Sequence, residues 1–136
     1  MDVFDKTKRS WIMARVKNKD TAPEITVRSI VHKLGFRFRK NRTDLPGRPD
    51  IVLPRHRKVI FVHGCFWHGH KNCKRAGRPA SNKAFWRKKL DANIARDKKN
   101  AQTLRREGWK VMTIWQCQMR DENRLVNRIE SFLIKE

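Results

Sequence analysis

The sequence predicts a mixed α/β (α+β) fold, one central sheet with helices packed on it. Three observations carry this. The element signals run helix, strands, helix, strand, helix, an order that layers helices over a sheet. The chain has 136 residues, which suits one domain with a single modest core. No internal repeat or low-complexity segment breaks the pattern.

Residues 1–20 are basic with a small apolar island, Trp11-Ile12-Met13, and read as an N-terminal arm or short helix. Residues 21–136 read as the single domain. "TAPEITVRSIVHKLG" is a helix. Thr21 is its N-cap, Pro23 lies in the first turn, Glu24 completes a capping box, and Gly35 stops it. Val27, Ile30, Val31 and Leu34 recur at helical spacing. "FRFRK" alternates like a half-buried strand, and "NRTDLPGRP" is a turn-rich loop. "DIVL" and "KVIFVHG", split by "PRHR", read as a hairpin in mid-sheet. Residues 81–107 show helix periodicity through Trp86, Leu90, Ile94, Ala101 and Leu104, ended by Gly108. "WKVMTIW" is a strand, and "DENRLVNRIESFLIKE" an amphipathic helix capped at Asp121.

The net charge is +21, from 34 basic and 13 acidic residues. So large an excess points to a polyanionic partner, most often nucleic acid, although basic surfaces can also be merely solvated. No apolar run is long enough to span a bilayer, and no signal-peptide pattern opens the sequence. A soluble, intracellular protein with no membrane association is expected. Three cysteines without a secretion signal argue against a disulfide framework.

"FVHGCFWHGHKNC" concentrates His63, Cys65, His68, His70 and Cys73. Cys65, His70 and Cys73 follow C-x4-H-x2-C, and Cys117 comes just after a strand. If that strand lies beside "KVIFVHG", Cys117 reaches the loop. The result is a closed Cys3His set, the structural type of zinc site. Spacing alone leaves open which of His63, His68 and His70 is the ligand.

Asp50 opens an apolar strand, where the sheet can fix a carboxylate facing a cleft. His63 lies at the end of the adjacent strand, His68 in the following loop, and Glu24 on the first helix. A strand carboxylate with a nearby acid suits magnesium, which keeps room for phosphate oxygens and water. Phosphodiester hydrolysis needs charge neutralisation, an activated water and help for the departing oxygen. A histidine near neutrality can activate the water. Each residue has a plainer reading too. Aspartate is common in turns, Glu24 is explained by the capping box, Asp97 belongs to an exposed "RDKK" pattern, and Trp86 fits a core stripe. His32 and His56 read as surface residues.

These segments resemble the very short patch repair endonucleases, which nick DNA at T:G mismatches. The resemblance covers nearly the whole chain through "MARVKNKDTAPE", "LPGRPDIVLP", "VIFVHGCFWHGH", "AFWRKKLDANIARD" and "LRREGWKVMTIWQC". It implies a restriction-endonuclease-like fold, a mixed central β-sheet flanked by helices, with a structural zinc site. It implies that Asp50 bridges two Mg2+ ions, with the backbone carbonyl of Val62 as a further ligand where a family member has threonine. It implies that His68 activates the water, that His63 lies beside it at the phosphate, and that Glu24 and Asp97 bind metal waters or orient His68. The wider superfamily's acid-x-lysine motif is replaced here by "FVH". One Zn2+ is implied at Cys65, His70, Cys73 and Cys117, although "HGHKNC" can be one residue shorter in close relatives.

Phe66, Trp67 and Trp86 match aromatics that wedge into the base stack beside the mismatch, where unstacking costs less than in paired DNA. Met13 matches a residue pressing on the opposite groove. The arm's basic residues should bind phosphates and make binding steeply salt-dependent. The implied activity is Mg-dependent hydrolysis of one strand of double-stranded DNA, 5′ to the mispaired thymine left by deaminated 5-methylcytosine. A bacterial, cytoplasmic, nucleoid-associated monomer is implied, alongside a cytosine-5 DNA methyltransferase. By analogy, MutL- and MutS-type repair proteins are partners. Two alternatives remain: another nuclease of the same fold, homing or structure-specific, and a non-catalytic zinc DNA-binding module.

Overall fold

Four strands form one sheet in the order β1-β2-β3-β4, and helices cover both its faces. The structure is a computed structural model, and it describes residues 21–135. Met13 and the basic arm therefore lie outside the described residues.

Helix α1 spans Ala22–Lys33. The Thr21 hydroxyl accepts from the Glu24 N–H at 3.4 Å, which is half of the expected capping box. The Glu24 carboxylate instead pairs with Arg28 at 3.0 Å. Val27, Ile30 and Val31 are buried on one stripe, and Gly35 ends the helix at φ 90. Strand β1 (Arg39–Lys40) is shorter than the alternation in "FRFRK" suggests, and only these two residues pair with β2 (Ile51–Leu53), opposite Val52 and Ile51. Phe36 and Phe38 pack on the core from outside the strand.

β2 and β3 (Lys58–His63) form the expected antiparallel hairpin, with Ile51 opposite Ile60. Its connection is a single turn of 3-10 helix, Pro54–His56, closed by Arg57 at φ 55. Helix α2 runs Lys83–Arg106 and returns the chain to β4 (Lys110–Trp115), which lies parallel to β3. A parallel neighbour needs such a long crossover. Helix α3 spans Glu122–Ile134 and is capped by Asp121, whose carboxylate accepts from the Arg124 N–H at 3.1 Å.

The strand period of two sorts the core. Ile51, Leu53, Ile60, Met112 and Ile114 face α1 and α3, where Leu125, Ile129 and Leu133 meet them. Val52, Val59 and Phe61 face the other way, onto Leu104 of α2 and Trp109. With both faces covered, β2 is buried at every residue, which explains its unalternated apolar run. Truncating a fully buried residue such as Leu104 to alanine should cost about 2–5 kcal/mol.

One polar group lies deep in this layer. Lys58, 3% exposed, starts β3. Its ammonium donates to the carbonyls of Phe132 at 2.7 Å, Leu133 at 2.8 Å and also Lys135. The carbonyls left over at the end of α3 thus receive a charged donor.

Candidate active site and metal centre

The hairpin register builds the first part of the site. Ile51 opposes Ile60, so β3 runs on past the end of β2, and the N–H of Val62 would lack a ladder partner. The side chain of Asp50 takes that place, and its Oδ2 accepts from Val62 N at 2.6 Å. Glu24 reaches the same point from α1. Burial pushes the Asp50 carboxyl up to about 7; the Val62 N–H opposes this, the neighbouring Glu24 carboxyl adds to it through charge and a shared hydrogen bond, and Arg28 pulls it down. Two carboxyls crowded together at the edge of a groove form a donor set that a hard divalent cation would neutralise.

The second part lines the same groove. His63 ends β3, only 8% exposed, and its ring stacks on that of His68 at 3.8 Å and 6°. The next loop turns back through His68 N–H to Gly64 O and His70 N–H to Cys65 O, which returns His68 over the strand end. Asp97, from the middle of α2, meets His68 Nδ1 with Oδ2 at 2.6 Å. A carboxylate on Nδ1 fixes the tautomer and leaves Nε2 to accept a proton. Burial holds His63 down to about 4, helped by His68 and opposed by Asp97, so it is neutral near pH 7. His63, His68 and Asp97 are near enough to suggest a metal site of their own. The stacking argues against it, because a metal lies near the plane of each imidazole it binds, and one ion cannot lie in two parallel planes.

Cys65, His70, Cys73 and Cys117 bring their ligand atoms within 4.8 Å of one another. All three thiols are free of disulfides. Cys117 Sγ lies 3.4 Å from His70 Nδ1, close to the edge of a tetrahedron built on metal–ligand bonds of about 2.0–2.3 Å. The Cys117 N–H donates to Cys65 Sγ at 3.4 Å, a bond suited to a thiolate. Burial pushes the Cys65 thiol up to about 11; the Cys117 N–H resists, and the neighbouring thiols add to the rise. A cation would remove that penalty, so the donor set fits a closed metal site. The parallel pairing of β4 with β3 delivers Cys117, as the spacing argument required. The loop between Cys65 and Cys73 turns through Gly69 at φ 59 and Asn72 at φ 56. A side chain at Gly69 would start 2.4 Å from Ile94 Cδ1, so α2 clamps this loop.

The aromatics cluster beside the histidines. Phe66 and Trp67 meet edge-on at 5.1 Å, and Trp86 lies 5.3 Å from Phe66. All three are half-buried, and none belongs to either core cluster, so Trp86 is not part of a core stripe. The neighbouring Phe85 is 57% exposed, with its ring 5.1 Å from Trp86. The Trp67 carbonyl accepts from Asn93 Nδ2 at 3.0 Å, which ties this loop to α2. His32 and His56 are exposed, as expected.

Asp50, Glu24, Val62, His63, His68, Asp97, Phe66 and Trp67 all line one groove of about 910 Å³. The expected catalytic and magnesium residues and the Phe66-Trp67 pair are therefore brought together, whereas Trp86 touches Phe66 and does not line the groove, and the cysteine cluster forms a separate centre. Sequence reasoning passed over Trp115, whose ring stacks on His70 at 4.1 Å and meets His63 edge-on at 5.3 Å. It forms a bridge of rings between the cysteine cluster and the histidine pair. Arg48 also lines the groove and was not singled out, although "PGRPD" stood in view. Only the strained backbone described below marks it.

Comparison with known structures and sequences fits this geometry. The fold matches the catalytic domain of the homing endonuclease I-Bth0305I with a TM-score of 0.59 and 19% identity, over 83% of this chain and 94% of that one. At that identity the likeness shows the fold alone, a restriction-endonuclease-like mixed sheet flanked by helices. Residues 1–75 match the family model described as DNA mismatch endonuclease Vsr. Over 132 residues the chain is 46% identical to the type II nicking enzyme V.XorIIP of Xanthomonas oryzae, covering 97% of this chain and 96% of that protein. It is 40% identical over 126 residues to DNA mismatch endonuclease Vsr of Escherichia coli, covering 93% and 80%. The chain belongs to the Vsr family of DNA mismatch endonucleases. Among the described residues no helix is long and apolar enough to cross a membrane.

Proposed function

We propose that this chain cuts one strand of double-stranded DNA, 5′ to the thymine of a T:G mismatch. The observation that supports it most is the shared groove. Asp50, Glu24, His63 and His68 all line it, together with Phe66-Trp67 from the loop between the two histidines. The nicking and mismatch activities in the relatives' names point the same way.

In this reading Asp50 and the Val62 carbonyl hold Mg2+, which when bound neutralises the phosphate and helps the departing oxygen leave. His68, held by Asp97, takes a proton from the attacking water. The water oxygen bonds to phosphorus as the bond to the departing oxygen breaks. Neutral His63 packs His68 into place and lines the phosphate's position. Glu24 and Asp97 are outer acids, and Asp97 orients His68. Zn2+ at Cys65, His70, Cys73 and Cys117 is a structural tie between the loop and β4. Phe66, Trp67 and Trp86 wedge into the stack beside the mispair, where separation costs least. Residues 1–20, including Met13, form a basic arm on the far side of the duplex, and the domain proper begins at residue 21.

The protein acts as a monomer in the bacterial cytoplasm at the nucleoid, one site making one nick. It repairs deaminated 5-methylcytosine made by a cytosine-5 methyltransferase and cooperates with MutL- and MutS-type proteins. A panel of duplexes differing at one base pair tests this with Mg2+ present. T:G duplexes should be nicked 5′ to the thymine at least about 10²-fold faster than paired ones, a discrimination of about 2.7 kcal/mol. Equal cutting of paired and mispaired duplexes would favour a general nuclease of this fold, and binding without cutting a non-catalytic module.

A further inference from the structure

The chain carries 34 lysines and arginines, yet among the described residues lining the groove there is one such side chain, Arg48. The other charged groups lining it are acids, Glu24, Asp50 and Asp97. The superfamily's strand lysine is absent, because its place reads Phe61-Val62-His63. Hydrolysis spreads negative charge over the phosphoryl oxygens, and preorganised cations directed there lower the barrier.

The backbone at Arg48 is unusual. Leu45 to Arg48 form a tight turn, with Arg48 N–H donating to Leu45 O at 3.1 Å and Gly47 at φ 75. A side chain at Gly47 would start 2.9 Å from Asn100 Nδ2 and 3.1 Å from the Phe61 ring, so this turn is pressed between α2 and β3. Arg48 follows at φ 48, a left-handed conformation that glycine or asparagine adopts at far less cost. Pro49 is buried beside it, and Asp50 is the next residue. Among the described residues the guanidinium has no hydrogen bond or ion pair within the chain. An arginine held in a strained position, exposed, without a partner among the described residues and lining the same groove as the strand carboxylate suits an external anion.

We propose that Arg48 binds a non-bridging oxygen of the phosphate being cut, as the groove's cationic clamp on the charge that develops there. This rests on the endonuclease reading above. The planar fork of arginine suits two phosphate oxygens, so lysine should substitute poorly.

The test is single-turnover nicking of a T:G duplex by Arg48→Gly, a change the left-handed backbone accepts. At saturating protein the rate should fall about 10²-fold or more, while the duplex Kd moves less than about threefold. Millimolar guanidinium ion should restore part of the rate in Arg48→Gly and none in Asp50→Asn, whereas sodium chloride at equal ionic strength should restore neither. Arg48→Lys should fall between wild type and glycine. Arg48→Asn, also tolerant of this backbone, serves if the glycine chain does not fold. A glycine variant nicking within about threefold of wild type, or one whose loss disappears at saturating protein, overturns the clamp. If Asp50→Asn itself nicks normally, the endonuclease site is wrong; if it is inactive while Arg48→Gly is normal, only the clamp is wrong.

Discussion

Asp97→Asn isolates the contribution of one hydrogen bond. The Asp97 carboxylate meets His68 Nδ1 at 2.6 Å, and asparagine has nearly the same shape without the charge. When His68 takes the water's proton, the imidazolium loses an ionic partner. A charge-assisted hydrogen bond contributes about 1.5–3 kcal/mol, which is roughly 10- to 150-fold in rate. The two side chains are 30% and 26% exposed, so solvent screens part of this, and the charge alone should be worth about 30-fold. The amide adds a second effect. If its NH2 turns to Nδ1, the proton moves to Nε2, which can then no longer accept one. The combined loss should be about 30- to 300-fold in single-turnover nicking at saturating protein. Duplex affinity should change less than about threefold, and Tm by no more than about 2 °C, since both side chains are partly exposed to solvent. A variant that nicks within about threefold of wild type would refute the role of Asp97 in orienting His68.

Three further outcomes follow from the geometry. Purified protein should carry about one zinc per chain, and Cys117→Ser should lose the metal and several degrees of Tm, read by atomic absorption and calorimetry; a metal-free chain of full stability would remove the ligand set. Asp50, raised to about 7, holds a proton in the folded state that the unfolded state releases near 4, so without divalent ions its contribution falls as pH rises from about 4 to 7. His63, held down to about 4, acts oppositely over much of that range, so the check is the Tm of wild type minus that of Asp50→Asn, which should decline from pH 4 to 7 and recover with Mg2+ at pH 8. Trp67→Ala should lower T:G nicking about tenfold or more and affect binding to paired DNA little, because stacking on a base is worth about 1–3 kcal/mol; equal loss on both duplexes would count against a wedge.

The sequence was most informative where period and punctuation agree. Gly35 and Gly108 mark helix ends, the Ile51 and Ile60 runs mark a buried hairpin, and Cys117 needed only the parallel neighbour that α2 provides. Asp50 was legible as a strand-end carboxylate with Glu24 as the acid near it, although two readings of Glu24 competed. Glu24 looked like half of a capping box, and only the packing of α1 against the sheet turns its carboxylate toward Asp50. Trp86 was ambiguous for a similar reason. Its spacing in α2 is that of a buried stripe, yet α2 buries only Leu90 and Leu104, and its first turns carry aromatics beside the groove. Trp115 could not be found by pattern, since a strand-terminal tryptophan is unremarkable until the rings on either side of it are placed. Strain at Arg48 is likewise invisible in a string of letters.

Lys58 gives the far end of the chain a task its position would not suggest. The last turn of α3 is the counterweight to an ammonium sunk beneath the sheet. Peeling away residues 132–135 would remove three carbonyls that receive that cation, so trimming the tail attacks the foundation of β3, and with it the strand end that carries His63. Purification tags belong beyond Lys135, and a protease that nibbles inward from this side should meet abrupt, whole-molecule failure rather than gradual fraying.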